Sequence, residues 1–170
     1  MFQTSQPMPC KNSGGFKILG IDPGIGRMGF GVATQNGNIY KCWDAGCLTT
    51  ETGEETGNRL KKLQEDLEKI IELQKPSGAA IEKLYFSKNI KTAMAVSEAR
   101  GMVLATLSRS GIPFVELSPQ QVKIGVTGYG KATKRQVQLM VQKLFSLPLP
   151  PTPDDTADAL ALAFVGLSYF

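Results

Sequence analysis

Two acidic residues, Asp22 and Glu82, end short apolar segments and are the first candidates for metal chemistry in this chain. Asp22 closes the run 17-KILGID-22 before Pro-Gly, and Glu82 closes 79-AAIE-82. Both segments are typical of buried strands, and open α/β folds place ligands at the carboxyl ends of such strands. A strand-ending Asp before Pro-Gly is also common in ordinary turns, so neither residue indicates a site by itself.

Three aspartates, Asp154, Asp155 and Asp158, open the segment 153-PDDTADALALAFVGL-167. Beyond Asp158 the segment is apolar on all sides, which predicts a buried helix. At about 100° per residue, Asp158 lies about 60° from Asp155 and about 40° from Asp154, so either pair could share a metal ion. The helix dipole accounts for Asp154 and Asp155, but it accounts poorly for Asp158, one turn further in. Because a buried unpaired carboxylate is costly, we expect Asp158 to have a partner.

The absence of histidine narrows the possible chemistry. It excludes a Ser-His-Asp triad, a Cys-His nucleophile and His-ligated zinc, so any catalysis must use Asp, Glu, Lys, Cys or Tyr. Carboxylate ligands favour Mg²⁺ or Mn²⁺. Four converging carboxylates predict a site for two such ions, which can activate water and stabilise the leaving oxygen in phosphodiester hydrolysis.

The cysteines and the charge distribution bear on the class of protein. Three cysteines argue against a disulfide scaffold, and Cys42 and Cys47, five apart on one predicted strand, are expected on opposite faces. That placement disfavours a metal clip. The net charge is +4, but residues 83–143 contain ten Lys or Arg and two Asp or Glu, a local balance of +8. A basic region of this kind favours a polyanionic partner over an ordinary solvated face.

The 170 residues fit one domain, residues 17–170, behind a flexible N-terminal tail of residues 1–16. The sequence contains no apolar run of about 18 residues and no signal-peptide pattern at its start, so we expect a soluble cytoplasmic protein without a membrane span.

The elements that must position the acids follow from hydrophobic periodicity and turn residues. The first three strands, which include the Asn-Gly turn at 36–38, are predicted to be antiparallel. The later strands are connected through helices. The predicted order is βββ-α-β-α-β-α-α, which is a five-stranded mixed sheet with helices on its faces. Thr133 and Gln136 fit a capping box after a Gly-rich loop at 125–132. The predicted strands are 17–22, 28–35, 39–50, 79–82 and 113–117, and the predicted helices begin near 59, 90, 133 and 154.

Five collinear stretches resemble the bacterial Holliday junction resolvases of the RuvC family, in the ribonuclease H-like superfamily. They are 19-LGIDPGIGRMGFGV-32, 79-AAIEKLYFSKN-89, 97-SEARG-101, 120-QQVKIGVTGYGKATKRQVQLMV-141 and 155-DTADALALA-163. The resemblance implies an α/β ribonuclease H-like fold and a homodimeric endonuclease that resolves four-way DNA junctions by paired symmetric nicks. It also implies two Mg²⁺ per active site, with Mn²⁺ as a possible substitute, and the RuvA–RuvB branch-migration complex as a partner.

The resemblance also implies roles for individual residues. It assigns the metal to Asp22, Glu82, Asp155 and Asp158, which leaves Asp154 as the expected helix N-cap. The residues expected to support the phosphate are Lys123 and Lys134. The aromatic residue expected to stack on a base at the junction centre is Tyr85, where Phe is common, with Phe86 beside it. Met28 replaces a usual Thr near Asp22, and the helix from about 89 to 108 matches the family's dimerisation element. The other expected DNA contacts are Lys83, Lys88, Lys131 and Arg135.

Four alternatives remain to be separated from this interpretation. A ribosomal-RNA-processing nuclease could share the fold, and a non-catalytic junction binder could share the surface. An actin-like ATPase also begins with Ile-Asp-Pro-Gly, but it needs a second similar domain. The loop 125-GVTGYGKA-132 lacks the Ser or Thr that follows Lys in a P-loop, which disfavours ATP binding.

Overall fold

A computed structural model describes residues 16–84 and 90–170, and in them five strands and five α-helices form one layered α/β unit. Most of the predicted elements lie within a few residues of their predicted bounds. The strands are β1 (Ile18–Asp22), β2 (Arg27–Asn36), β3 (Ile39–Thr49), β4 (Gly78–Glu82) and β5 (Phe114–Leu117). The helices are α1 (Thr56–Gln74), α2 (Ile90–Arg109), α3 (Pro119–Thr127), α4 (Lys134–Leu144) and α5 (Asp154–Gly166), followed by a 3₁₀ turn at Leu167–Tyr169.

The sheet has the strand order β3-β2-β1-β4-β5. β1 pairs antiparallel with β2, and β2 pairs antiparallel with β3, whereas β1, β4 and β5 run parallel. This confirms the predicted five-stranded mixed sheet with three antiparallel strands at its start. Because β1 and β4 are adjacent and parallel, Asp22 and Glu82 end at the same edge of the sheet.

Each face of the sheet carries its own apolar core. On one face, β-strand residues such as Leu19, Ile21 and Val32 pack with α1 and α2. On the other face, Ile18, Ala33 and Ala80 pack with α3, α4 and α5. Since side chains alternate along a strand, Asp22 projects to the same face as Ile18, and therefore to the face covered by α5. No helix in the described part of the chain is both long and apolar enough to cross a membrane.

Helix α5 lies directly on the backbone of β1 and β2, and two glycines make this possible. A Cβ at Gly20 would lie 2.0 Å from the Ala159 carbonyl oxygen, and a Cβ at Gly29 would lie 2.0 Å from that of Asp155. Both distances are far below van der Waals contact, so no other residue fits at these positions without moving the helix. The close approach brings the first turn of α5 to the sheet edge that bears Asp22.

One helix was not expected from the sequence. Residues 125–127, predicted as part of a Gly-rich loop, lie in α3. The signal for this helix is a complete capping box at Ser118 and Gln121, with Pro119 at the first helical position. Gly128, in the left-handed conformation, ends the helix, which leaves a shorter loop before the predicted and confirmed capping box at Thr133.

The prediction for the two strand cysteines was wrong. The pairing of β2 with β3 shifts between Val32 and Ala33, so that Trp43 is an extra, unpaired residue in β3. Such a bulge reverses the alternation of side chains beyond it. Cys42 pairs with Ala33 and Cys47 pairs with Gly29, both on the α5 face.

Candidate metal centre

Three of the four predicted metal-binding acids line one cleft at the carboxyl edge of β1 and β4. Asp22 and Glu82 are half-buried at the strand ends, and Asp158 reaches them from the second turn of α5. The cleft encloses about 450 Å³, and apolar side chains from α2, α3 and α4 complete its walls. Acids from three separate elements are therefore brought together at this edge of the sheet.

Both lysines expected to support the phosphate line the same cleft. Lys123 is half-buried in α3, and Lys134 is the exposed first residue of α4. The Lys134 Nζ donates to Asp158 Oδ2 and to Asp154 Oδ2, each at 3.3 Å. The cleft thus combines three acidic groups with two ammonium groups.

The fourth predicted ligand, Asp155, lies beside the cleft rather than in its lining. Its Oδ2 is buried without a hydrogen-bond partner and is 3.2 Å from the Nε of Arg27, at the start of β2. The contact is therefore an ion pair without hydrogen-bond geometry. Arg27 is a residue of this site that the sequence reasoning missed, because it lies outside the basic region 83–143.

Asp154 does not cap the helix, contrary to expectation. The N-cap of α5 is Pro153, which makes no side-chain capping hydrogen bond. Asp154 is instead the first helical residue, where a negative charge favours the helix dipole. Its side chain accepts from Lys134, and this hydrogen bond holds the pKa of Asp154 below its usual range.

The pKa values show how strongly the acids interact. Burial, and then the charges of Glu82, Asp158 and Asp155, raise the pKa of Asp22 to about 8. Burial and the Asp158 charge also raise the pKa of Glu82, and burial raises that of Asp158 against the opposing effect of Lys134. Lys134 has a raised pKa, mainly because of the Asp158 charge. Carboxylates held this close together repel one another, so binding of a cation or a proton between them is favourable.

The donor chemistry fits hard divalent cations, because the converging ligands are all carboxylate oxygens. The Asp155 Oδ2 without a hydrogen-bond partner adds a buried acceptor at the edge of the same cluster. As the side chains stand, however, no three acidic or sulfur ligands within residues 16–84 and 90–170 are arranged to hold one ion. Lys134 and Arg27 provide the counter-charges in this arrangement.

The raised pKa of Asp22 predicts a stability effect. Its pKa is about 8 in the folded chain against 3.8 for the free residue, so folding favours the protonated form. The metal-free protein should therefore lose stability as the pH rises from about 4 to about 8. Replacing the carboxylate by Asp22→Asn should stabilise the metal-free protein at pH 8 by roughly 1–3 kcal/mol, or roughly 2–12 °C in Tm.

Thermal unfolding in EDTA at pH 6 and pH 8 measures this effect. Asp154→Asn is the matched control, because the pKa of exposed Asp154 is shifted downwards and its replacement should give no stabilisation. Equal Tm values for Asp22→Asn and the unmodified chain at pH 8 would contradict the electrostatic description of the cluster.

The remaining predicted DNA contacts fall into two groups. Lys83, directly after β4, and Lys131 and Arg135, around the start of α4, are exposed but do not line the cleft. Tyr85, Phe86 and Lys88 lie outside the described residues. Met28, noted as an unusual residue near Asp22, is fully buried in the core with α1 and α2, on the opposite face from the acids.

The sheet order and the acids at its carboxyl edge define an α/β fold of the ribonuclease H-like class. The sequence model described as "Crossover junction endodeoxyribonuclease RuvC" matches residues 18–166. The chain is 49% identical to the RuvC of Petrotoga mobilis over 86% of this chain and 90% of that protein. It is 51% identical to that of Desulforamulus reducens over the same shares.

Among solved structures, T. thermophilus RuvC in complex with a Holliday junction substrate aligns with a TM-score of 0.85 and 30% identity. The alignment covers 91% of this chain and 94% of that one. The chain belongs to the RuvC family of crossover junction endodeoxyribonucleases, and it is a nuclease.

Proposed function

We propose that this protein resolves Holliday (four-way) junctions in DNA recombination and repair by paired symmetric nicks. The observation that carries the proposal is the cleft that Asp22, Glu82 and Asp158 line together with Lys123 and Lys134. The acids can hold cations, and the ammonium groups can contact phosphates of a DNA strand. The T. thermophilus relative, solved with a Holliday junction substrate, supports the choice of substrate.

Asp22, Glu82, Asp155 and Asp158 would hold two Mg²⁺ ions, for which Mn²⁺ can substitute. When bound, the ions supply an activated water and charge stabilisation at the leaving oxygen. Asp22 and Glu82 are fixed by adjacent strands, so they define the base of the site. Asp155 and Asp158 are fixed by α5, whose close packing on Gly20 and Gly29 positions the two side chains.

In this proposal, the Lys134 side chain bonds either Asp158 or the scissile phosphate. Its ammonium group bonds Asp158 in the structure, and its first position in α4 leaves the side chain 73% exposed. Positive charge at the carboxylates would release it toward the scissile phosphate. Lys123, which lines the same cleft from α3, would contact the same phosphate or the leaving group.

Two symmetric nicks require two active sites, so we propose a homodimer. Helix α2 is the proposed interface, and Met94 on it is 61% exposed. Tyr85 and Phe86 would stack at the junction centre, and Lys83, Lys88, Lys131 and Arg135 would contact its arms. The RuvA–RuvB branch-migration complex is the proposed partner, and the cytoplasm is the proposed location.

A comparison of substrates tests the proposal. With Mg²⁺, a four-way DNA junction should be cut at least about 100-fold faster than a linear duplex of the same sequence, since binding energy from the junction arms is used to place the strand. A structured ribosomal RNA fragment should stay intact under these conditions. Faster cleavage of the RNA would overturn the choice of substrate and favour an RNA-processing nuclease.

A further inference from the structure

Arg27 provides positive charge next to the acids but outside the cleft that the two lysines line. It begins β2 and projects to the α5 face, since Gly29, two residues on, faces Asp155. Lys123 and Lys134 come from α3 and α4 and line the cleft, whereas Arg27 lies beyond Asp155, outside the lining. The acids therefore have a third cation beside them, and it lies outside the cleft.

The guanidinium of Arg27 is anchored at one end and open at the other. Its Nε is 3.2 Å from the buried Asp155 Oδ2, and its side chain is nevertheless 56% exposed. Within residues 16–84 and 90–170, Asp155 is the one ion-pair partner of this group. Because the Nε end faces the carboxylate, the outer donors of the planar fork stay available to a second anion.

The backbone that carries Arg27 is held firmly. Thr50 donates from its amide to the Gly26 carbonyl at 3.1 Å and from its hydroxyl to the Ile25 carbonyl at 2.5 Å. Arg59 of α1 in turn donates its Nε to the Thr50 hydroxyl at 2.9 Å. Hydrogen bonds thus connect the turn before β2 to the end of β3 and to α1. Little backbone entropy is therefore lost when Arg27 binds an anion.

We propose that Arg27 is a DNA-phosphate contact of this enzyme, anchored by its ion pair with Asp155. Because Arg27 lies next to Asp155, its fork would bind a phosphate that neighbours the scissile one where the strand passes the start of β2. An arginine matches phosphate geometry better than a lysine does. This inference rests on the proposed function, because it takes junction DNA as the ligand.

The test measures binding, in EDTA, of a labelled four-way junction at several salt concentrations. Arg27→Gln should weaken binding roughly 3- to 10-fold and reduce the slope of log K against log salt by about 0.9, the value for one lost phosphate contact. Arg27→Lys, which keeps the charge, should retain the slope. Lys69→Gln is the matched control, because it also removes one exposed cation, but one that pairs with Asp66 on α1.

The outcomes separate this inference from the proposed function. If the unmodified protein binds the junction and Arg27→Gln binds it with the same affinity and slope, the inference fails and the proposed function stands. If the unmodified protein does not prefer the junction to a duplex, the proposed function fails. Thermal unfolding checks that each variant is folded at the temperature of the binding assay. Arg27→Gln should lower the Tm by a few degrees, because it leaves the buried Asp155 oxygen without its cation, whereas Arg27→Lys should lower it less.

Discussion

Asp158→Asn is expected to abolish strand cleavage while the protein still folds and binds a four-way junction. Asp158 is the helix residue that shares the cleft with Asp22 and Glu82. An amide of the same size keeps the packing but removes the charge that would hold a cation, so the single-turnover cleavage rate in Mg²⁺ should fall by roughly 10³-fold or more. Junction binding, measured without cleavage, should change much less.

Asp154→Asn is the matched control for this change. Asp154 bonds the same Lys134 ammonium at the same distance of 3.3 Å, but it is exposed and does not line the cleft. Its replacement should leave the single-turnover cleavage rate within about threefold of that of the unmodified protein, because one exposed ion pair contributes little. Retained cleavage by Asp158→Asn in Mg²⁺ would contradict the assignment, and so would an equal loss in both variants.

Gly20→Ala is expected to have the largest effect on stability. The added Cβ would meet backbone atoms of α5, 2.0 Å from the Ala159 oxygen and 2.4 Å from the Ala163 nitrogen. Backbone atoms cannot change rotamer as a side chain can, so the helix must shift. This shift should lower the free energy of unfolding by about 3 kcal/mol or more. The shift also moves Asp155 and Asp158, so cleavage should fall as well.

Urea unfolding measures this cost, and Gly57→Ala is the control. Gly57, near the start of α1, has open space where its Cβ would stand. An alanine there should maintain the free energy of unfolding or increase it by up to about 0.5 kcal/mol, because alanine favours helix. Equal stability of the two variants would show that α5 does not depend on its close approach to β1.

Most of the fold could be predicted from local patterns in the sequence. Apolar runs bounded by turn residues placed all five strands, and the capping box at Thr133 marked the start of α4 within one residue. Helix α3 was not predicted because Gly125, with Gly128 and Gly130 beyond the helix, suggested a loop, although Ser118 and Gln121 form the same kind of capping box. The bulge at Trp43 left no such local signal, since it depends on how β3 pairs with β2.

The site was predicted less completely than the fold. The positions of Asp22 and Glu82 followed from strand ends, which are local features. The separation of Asp154 from Asp155 came from a family resemblance, and its corollary that Asp154 caps the helix was wrong, because Pro153 takes that place. The role of Arg27 depends on the tertiary approach of β2 to α5, which the spacing of residues along the chain does not encode.

Mapping the nicks in a four-way junction labelled on each of its four strands tests the central claim most directly. With Mg²⁺ and the unmodified protein, we predict cuts at symmetric positions in two opposing strands of the same junction, and no cuts when EDTA replaces Mg²⁺. The cuts should disappear in Asp158→Asn. Unpaired cuts, cuts that persist in EDTA, or an uncut junction would contradict the account of a metal-dependent resolvase built on these acids.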